Sequence, residues 1–426
     1  MKKQVLIAGG GAAGMMAAIT AAENGAQVTV LEQNDRVGKK ILATGNGRCN
    51  FTNTVQEPGC YRSDNPMFPW EGVSRYDSRQ VIRRFLDLGV YSKNKNGYVY
   101  PFSEQASAVL DVLRMEMERL KVQVHTDEKV TEVRKKGKSF LVHSEYREET
   151  EKKGKNKKLP GTAEQHTWKA DALILANGSK ASAIPGSDGS GYVLAKSLGH
   201  HLIPVVPALV QLKCREEFYK ALAGVRVYGK VSLYIEDQLV SADTGEIQLA
   251  AYGISGIPVF QVSRYAASGL REKKKVRAVL DFMPDFDDTV FDGFLERRIL
   301  SGPDKKMEHF FTGLFHKKLA VVLLKRAQIR PERCAGELSE SERYRLLQTV
   351  KYFETQVTDT NSFENAQVCA GGVDTREISV MDMQSLLVPG LYFAGEIMDV
   401  DGICGGYNLQ WAWSSGYLAG KGATRC

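Results

Sequence analysis

The chain has 426 residues, 43% hydrophobic and 25% charged. That is more than one core needs at roughly 150 residues per domain, too polar for an integral membrane protein and too apolar for general disorder. Its charge, 57 basic against 50 acidic residues for a net +7, gathers in the runs KKGKNKK (152–158) and REKKKVR (271–277), so it marks loops and not a uniformly basic nucleic-acid surface.

Taken in chain order, MKK followed by VLIAGGGAAGMMAAITAA has the basic start and apolar run of a leader peptide. Glycines interrupt that run, however, and AQVTVLE after it needs a strand partner, so the segment is read as part of the fold. QVLIAG, a glycine turn, the Ala/Met-rich helix closed by Gly25 and the strand QVTVLE then form one βαβ crossover. Helical spacing recurs in SRQVIRRFLDLG and in SEQASAVLDVLRMEMERLKV, and a β-meander follows over 122–144. The charged stretch 146–166 reads as an exposed, mobile loop, and WKADALILANG as a buried strand. Beyond Gly191 the texture becomes mostly β, then helical from about 287 to 350. In the last 60 residues GLYFAGE is again a strand and NLQWAWSSGYLAG again a helix, which predicts a return to the N-terminal sheet. No other stretch approaches the roughly 18 uninterrupted apolar residues of a membrane span. Seven cysteines, odd in number and without a CxxC pair, read as reduced thiols of a cytoplasmic protein. No HExxH or similar spacing occurs, and no metal is expected.

Gly9, Gly11 and Gly14 form GxGxxG where strand meets helix, and Glu32 ends the second strand. This is the spacing of a dinucleotide fingerprint: one glycine for the turn, one for backbone approach to the pyrophosphate, one for close helix–strand packing. The pyrophosphate would sit on the helix N-terminus. Glu32, at what reads as the exposed end of a strand, would accept the ribose hydroxyls and disfavour a 2′-phosphate, leaving NAD or FAD. RVGKKILATGNGRCNFTN directly after the acid would give an extended cofactor a second backbone-lined loop, where a simple NAD enzyme would continue with its next βα unit.

With GGGAAG, KKILATGNGRCNFTN, LILANGS, GSDGSGYVLAKSLGH and AGEIMDVDGICGGYNLQWAWSSG, the chain resembles the FAD-binding family of aminoacetone-oxidase-like and bile-acid-reductase-like enzymes, within the glutathione-reductase-type flavoproteins. It departs at Asn177, where ANGS stands for the common ATG. The resemblance implies an α/β fold: a Rossmann-like FAD-binding domain over 1–192 and 355–426, interrupted by a β-rich domain over 193–280 and a helical domain over 281–354. It implies that Gly9, Gly11, Ala13 and Gly14 line the pyrophosphate turn and that Glu32 holds the adenosine ribose. Lys40, Gly47, Arg48, Cys49 and Asn50 would run towards the flavin ring, with Val130 meeting the adenine through its backbone and Gly178 ending a strand at the cofactor. Gly395 and Glu396 would approach the ribityl and phosphate arm, and Gly405, Gly406, Asn408 and Leu409 would lead into a final helix whose N-terminus stabilises a reduced, anionic flavin.

The expected function is therefore FAD-dependent oxidoreduction of a small organic substrate, hydride passing through flavin N5. The chemistry would be NAD(P)H-linked reduction of a conjugated C=C bond in a steroid-like 3-oxo acid or, alternatively, oxidation of a small amine by O₂. With no second GxGxxG, a nicotinamide partner would visit transiently. Tyr252 and Tyr407 are the candidate proton donors. Cys49 and Cys404 lack the partner of a disulfide reductase, and His200 and His201 read as helix-end residues. A flavin-containing RNA- or partner-binding protein is the reading of another class; the basic runs carry no interleaved aromatics, so nucleic acid is not the expected partner.

Overall fold

A computed structural model describes residues 2–150, 159–182 and 186–425. They form two compact units, Met1–Val205 with Val368–Cys426, and Val206–Gln367. Among the described residues no helix is long and apolar enough to cross a membrane.

The first unit is built on five parallel strands: β1 (Gln4–Ala8), β2 (Gln27–Leu31), β3 (Gln123–His125), β4 (Ala172–Leu175) and β5 (Leu391–Phe393), ordered β5-β4-β1-β2-β3. Val5 to Ala8 and Ala172 to Leu175 are fully buried runs, as a parallel sheet covered on both faces requires. The expected return of the chain is β5, which pairs with β4 at the sheet edge. The sequence order reverses at β1, and ligands of open α/β sheets bind beyond the strand ends at such a point.

Helix α1 (Ala12–Glu23) buries nine of its twelve residues, because α2 (Tyr407–Thr424) lies against it. Gly416 and Gly420 are four apart and so share one helix face. A Cβ on either would stand 2.4 Å from a carbonyl oxygen of α1, that of Ala13 or Ala17 respectively. Gly25, at φ +87, closes α1 in the left-handed region.

The meander is a three-stranded antiparallel sheet of Glu128–Lys136, Ser139–Thr150 and Leu159–Ala170. The stretch 146–166, expected as a loop, is thus strand up to Thr150 and from Leu159; the run 152–158 lies outside the described residues. The two strands pair backbone to backbone from Leu159 opposite Thr150 to Ala170 opposite Phe140, which a charged composition does not prevent.

The second unit centres on a closed six-stranded barrel of Leu212–Cys214, Gly253–Ser255, Gln238–Ala250, Val225–Ile235, Val276–Asp281 and Phe353–Thr360. Closure needs the last strand beside the first, so Phe353–Thr360 pairs with Leu212–Cys214. The strand therefore stays with the inserted unit, and the return comes at Val368 instead of 355. Nor do the helices form a body of their own: Phe291, Leu295, Leu323 and Leu347 share one core with Val231, Ile247 and Leu280 of the barrel. Lys351, 5% exposed, fastens helix to barrel by donating to Asp281 Oδ2 and to the carbonyls of Met283 and Phe286, the pairing a buried ammonium requires.

If the α1–α2 seam depends on backbone contact, Gly420→Ala forces a methyl into the Ala17 carbonyl and costs about 1–3 kcal/mol by overpacking. Thermal unfolding of the apo-protein measures it, and an unchanged midpoint would refute the seam.

Candidate functional site

Strand β1 ends at Ala8 and helix α1 begins at Ala12, leaving three glycines to make the turn. Gly9 has φ +104, and a Cβ there would lie 2.5 Å from the Ala176 carbonyl oxygen. A Cβ on Gly14 would lie 1.9 Å from the Gly9 carbonyl oxygen, whereas one on Gly11 would meet nothing within 4 Å. The turn is closed on its packing side and open at Gly11. Gly11 is also the N-cap of α1, and no side chain caps that helix. A helix start has N–H groups without intrahelical partners and the positive end of the dipole, the make-up of a phosphate site.

Glu32, expected at an exposed strand end, is only 7% exposed. One carboxylate oxygen accepts the Gly10 N–H at 2.8 Å, and the other accepts the Asn34 backbone N–H at 2.9 Å and its side-chain amide at 2.6 Å. Burial pushes its carboxyl above the ordinary value against the lowering effect of these bonds. The acid therefore shapes the turn it was expected to serve, and it is a structural group as well as an acceptor.

Gly395 closes on the same turn: at φ +77, its Cβ would be 2.8 Å from Ala13 Cβ. Its N–H donates to Ser415 Oγ at 2.9 Å and its carbonyl accepts from Trp411 Nε1 at 3.2 Å, so α2 fixes it from behind. Glu396 Oε2 accepts from Lys40 Nζ at 2.7 Å and from Ser179 Oγ at 3.2 Å. Lys40 and Glu396, expected separately at the cofactor, are ion-paired with one another.

Gly45, Asn46, Gly47 and Cys49 all adopt left-handed backbone, with φ of 56, 55, 81 and 56, and a Cβ on Gly47 would meet open space. Cys49 is fully buried, and burial pushes its thiol up to about 12; a protonated thiol is no nucleophile. Arg48 lies with its guanidinium 5.5 Å from the centroid of the Tyr100 ring and 4.0 Å from Glu104. Asn50 is 9% exposed. It sits beside Gly406, whose Cβ would be 2.9 Å from Asn50 Oδ1 and 2.7 Å from the Thr52 carbonyl oxygen. Gly405 and Gly406, at φ +128 and +97, let the chain pass there into α2.

Val130 is buried on the meander where the register slips between Val130 and Glu132; the same strand begins at Glu128, whose N–H donates to the Glu32 carbonyl at 2.9 Å. Gly178, at φ +74, follows β4 and Asn177. The Asn408 side chain both accepts from the Gly402 N–H at 2.8 Å and donates to the Gly402 carbonyl at 2.9 Å, so it holds a turn. Leu409 packs on the core. The Tyr407 hydroxyl donates to the Val55 carbonyl at 3.0 Å, and burial raises its pKa; it is committed to a structural bond. Tyr252 belongs to the second unit, where partial burial raises its phenol as well.

Two buried acceptors test whether a dinucleotide fits: Asn50, which the sequence placed at the cofactor, and Asn177, noted there only as a departure from the common pattern. Asn50 Oδ1 and Asn177 Oδ1 are buried and have no hydrogen-bond partner among the described residues. Asn177 lies against the fingerprint turn, its Cα 3.0 Å from where a Gly9 Cβ would be; Asn50 lies at the start of α2. Buried acceptors without donors are costly, and the hydroxyl and imide N–H groups of a flavin dinucleotide are donors. Together with the open Gly11 cradle and the acid at Glu32, they fit such a group. Ser179, Trp411 and Ser415, which the sequence did not single out, act through Glu396 and Gly395; Asn177 left a trace there as the departure ANGS.

A family model described as the HI0933-like protein Rossmann domain matches residues 3–422. The chain is 44% identical over 419 residues to the 3-dehydro-bile acid delta(4,6)-reductase of Clostridium scindens, covering 98% of each. It is 29% identical to the ribosomal RNA dihydrouridine synthase of Escherichia coli, over 98% of this chain and 96% of that one. The synthase of the same name from Haemophilus influenzae is also 29% identical, over 99% and 98%.

With its thiol near 12, Cys49 carries about a thousandfold less thiolate at pH 8 than an ordinary cysteine. Native protein should leave it unmodified by iodoacetamide, with reactivity rising as pH climbs towards 12, while denatured protein reacts at once. Mass mapping that finds Cys49 alkylated in folded protein at pH 8 would contradict this.

Proposed function

The chain belongs to the HI0933-like family, and from that premise we propose that it is an FAD-dependent oxidoreductase that reduces a C=C bond conjugated to a carbonyl in a small, steroid-like acid. The observation that carries the cofactor is the open cradle at Gly11 between the buried Glu32 and the uncapped start of α1. The 44% identity to a 3-dehydro-bile acid reductase, over 98% of each chain, supports the substrate class.

FAD held there would supply hydride transfer; reduction of the C=C bond takes that hydride at the carbon β to the carbonyl and a proton at the α carbon, the two electrons coming from a nicotinamide dinucleotide. The chain's own residues bind and orient. The first N–H groups of α1 receive the pyrophosphate, and Glu32 accepts the ribose hydroxyls on lone pairs that Gly10 and Asn34 do not use. Asn177 accepts a hydroxyl of the cofactor beside the fingerprint turn. The start of α2, reached through Gly405 and Gly406, favours an anionic group by its dipole and N–H donors. The bond from the Tyr407 hydroxyl to the Val55 carbonyl argues against that tyrosine as the proton donor.

A second reading is favoured by the two relatives named as ribosomal RNA dihydrouridine synthases. Uracil also holds a C=C bond conjugated to a carbonyl, so the reaction class is shared and the substrate differs. The lower identity of these relatives ranks that reading below the steroid-like acid. Oxidation of a small amine by O₂ draws no such support.

Glu32→Ala removes a charge-assisted acceptor worth roughly 1.5–3 kcal/mol, a loss of about tenfold to hundredfold in FAD affinity. Because Gly10 and Asn34 also lose their acceptor, the apo-protein should melt earlier too. FAD titration and thermal unfolding of wild type and variant test both; equal affinities would remove Glu32 from the ribose. For the reaction, dithionite-reduced enzyme mixed without oxygen with a 3-oxo-4-ene steroid acid should regain its oxidised flavin spectrum. Reoxidation by O₂ alone with peroxide from aminoacetone, or by unmodified ribosomal RNA and not by the steroid, would each overturn the substrate assignment.

A further inference from the structure

Residues Ser92–Lys95 and Tyr98–Pro101 form a hairpin in which Lys93 is paired with Tyr100 and Lys95 with Tyr98. Directly paired residues share a face, so two lysines and two tyrosines stand together, while Val99 points the other way into the core at 1% exposure. Arg48 joins this face from the left-handed segment, 5.5 Å from the Tyr100 centroid, and Lys95 Nζ is 5.8 Å from it. Glu104 meets all three cations: Lys95 at 2.5 Å, Lys93 at 3.3 Å and Arg48 at 4.0 Å. Three cations around one carboxylate leave positive charge over, and their side chains are 40–46% exposed. Fold stability alone explains this poorly, because exposed pairs contribute little.

The face is not remote from the candidate cofactor site. A Cβ on Gly405 would be 3.0 Å from Tyr98 Cε1, and Asn53 of the adjoining strand donates to the Gly405 carbonyl at 2.9 Å. From Tyr98 to Tyr100 the strand advances about 7 Å. An aromatic floor thus begins at the turn into α2 and ends under Arg48, Lys93 and Lys95.

We propose that this hairpin face is the substrate's anchoring subsite: Tyr98 and Tyr100 carry the apolar rings of the acid, and Arg48, Lys93 and Lys95 hold its carboxylate. The assignment rests on the steroid-like acid read above. Glu104 then holds the three cations together before substrate arrives and competes with it afterwards. A guanidinium over an aromatic ring keeps both its charge and its donors available to a carboxylate.

The test compares wild type, Lys93→Gln/Lys95→Gln and Glu104→Gln on a 3-oxo-4-ene steroid acid and on its methyl ester. The double variant should raise KM for the acid about three- to thirtyfold with kcat, FAD affinity and KM for the ester unchanged. Glu104→Gln should lower KM for the acid, and added salt should raise it more steeply in wild type than in the double variant, which keeps Arg48. Binding of the saturated acid, followed by perturbation of the flavin spectrum, gives the same ranking without turnover. Equal KM values for acid and ester across all three proteins would sink the subsite while leaving the reductase reading intact. A wild type that neither binds nor reduces the acid, or a double variant whose defect appears only in binding single-stranded RNA, would overturn the subsite along with that reading.

Discussion

The first unit depends on one constraint: backbone must touch backbone around the start of α1. Gly14 lies on the Gly9 carbonyl, Gly9 on Ala176, Gly395 on Ala13, and Gly416 on the Ala13 carbonyl from the far side. A methyl at any of these points would meet an atom at 2.8 Å or less. The glycines thus bring β1, β4, the 395 turn and α2 to a single place. They also leave one direction uncovered, at Gly11. Packing on every other side both stabilises the unit and shapes the opening into which α1 points its N–H groups.

Much of this was legible because it is local. The fingerprint spacing, the closing Gly25, the acid at 32 and the buried apolar strands are read from neighbours a few residues apart. What the sequence hid is non-local. Glu32 reads as a surface acid until β3 and the meander cover it, since His125 and Glu128, its backbone partners, lie about ninety residues away. Lys40 and Glu396 read as two ligands because nothing local says that they meet across 356 positions. FETQVTDT at 353–360 alternates well enough to be a strand, but only barrel closure decides which unit it joins. The lysine–tyrosine face escaped for a related reason: KNKNGYVY is unremarkable as a string, and only the hairpin register sets cation opposite ring.

The inserted unit makes the complementary case. Its strands and helices carry separate periodicities, which suggests separate bodies, yet they share one apolar core. Composition changes along a chain follow secondary structure; core sharing follows topology. Lys351 shows how tightly the two textures are joined, because an ammonium at 5% exposure is tolerable only with its three acceptors in place.

The same burial that organises the first unit also sets its electrostatics. Burial raises Cys49, Tyr407 and Glu32 towards their protonated forms, and Cys369 beside Ser179 is raised as well. Of the acids around the cradle, Glu396 is neutralised by Lys40, and Glu32 is set among N–H donors at the ribose end. Both carboxylates are thus compensated where an anionic pyrophosphate and an anionic reduced ring would have to be stabilised by the helix starts. A cradle lined with free carboxylates would repel both. The surplus of positive charge on the 92–101 hairpin lies beyond the turn into α2 and on the exposed side of the aromatic floor. On the anchoring proposed for that hairpin, an acid would lie with its apolar rings inward on the aromatic floor and its carboxylate outward among the exposed cations.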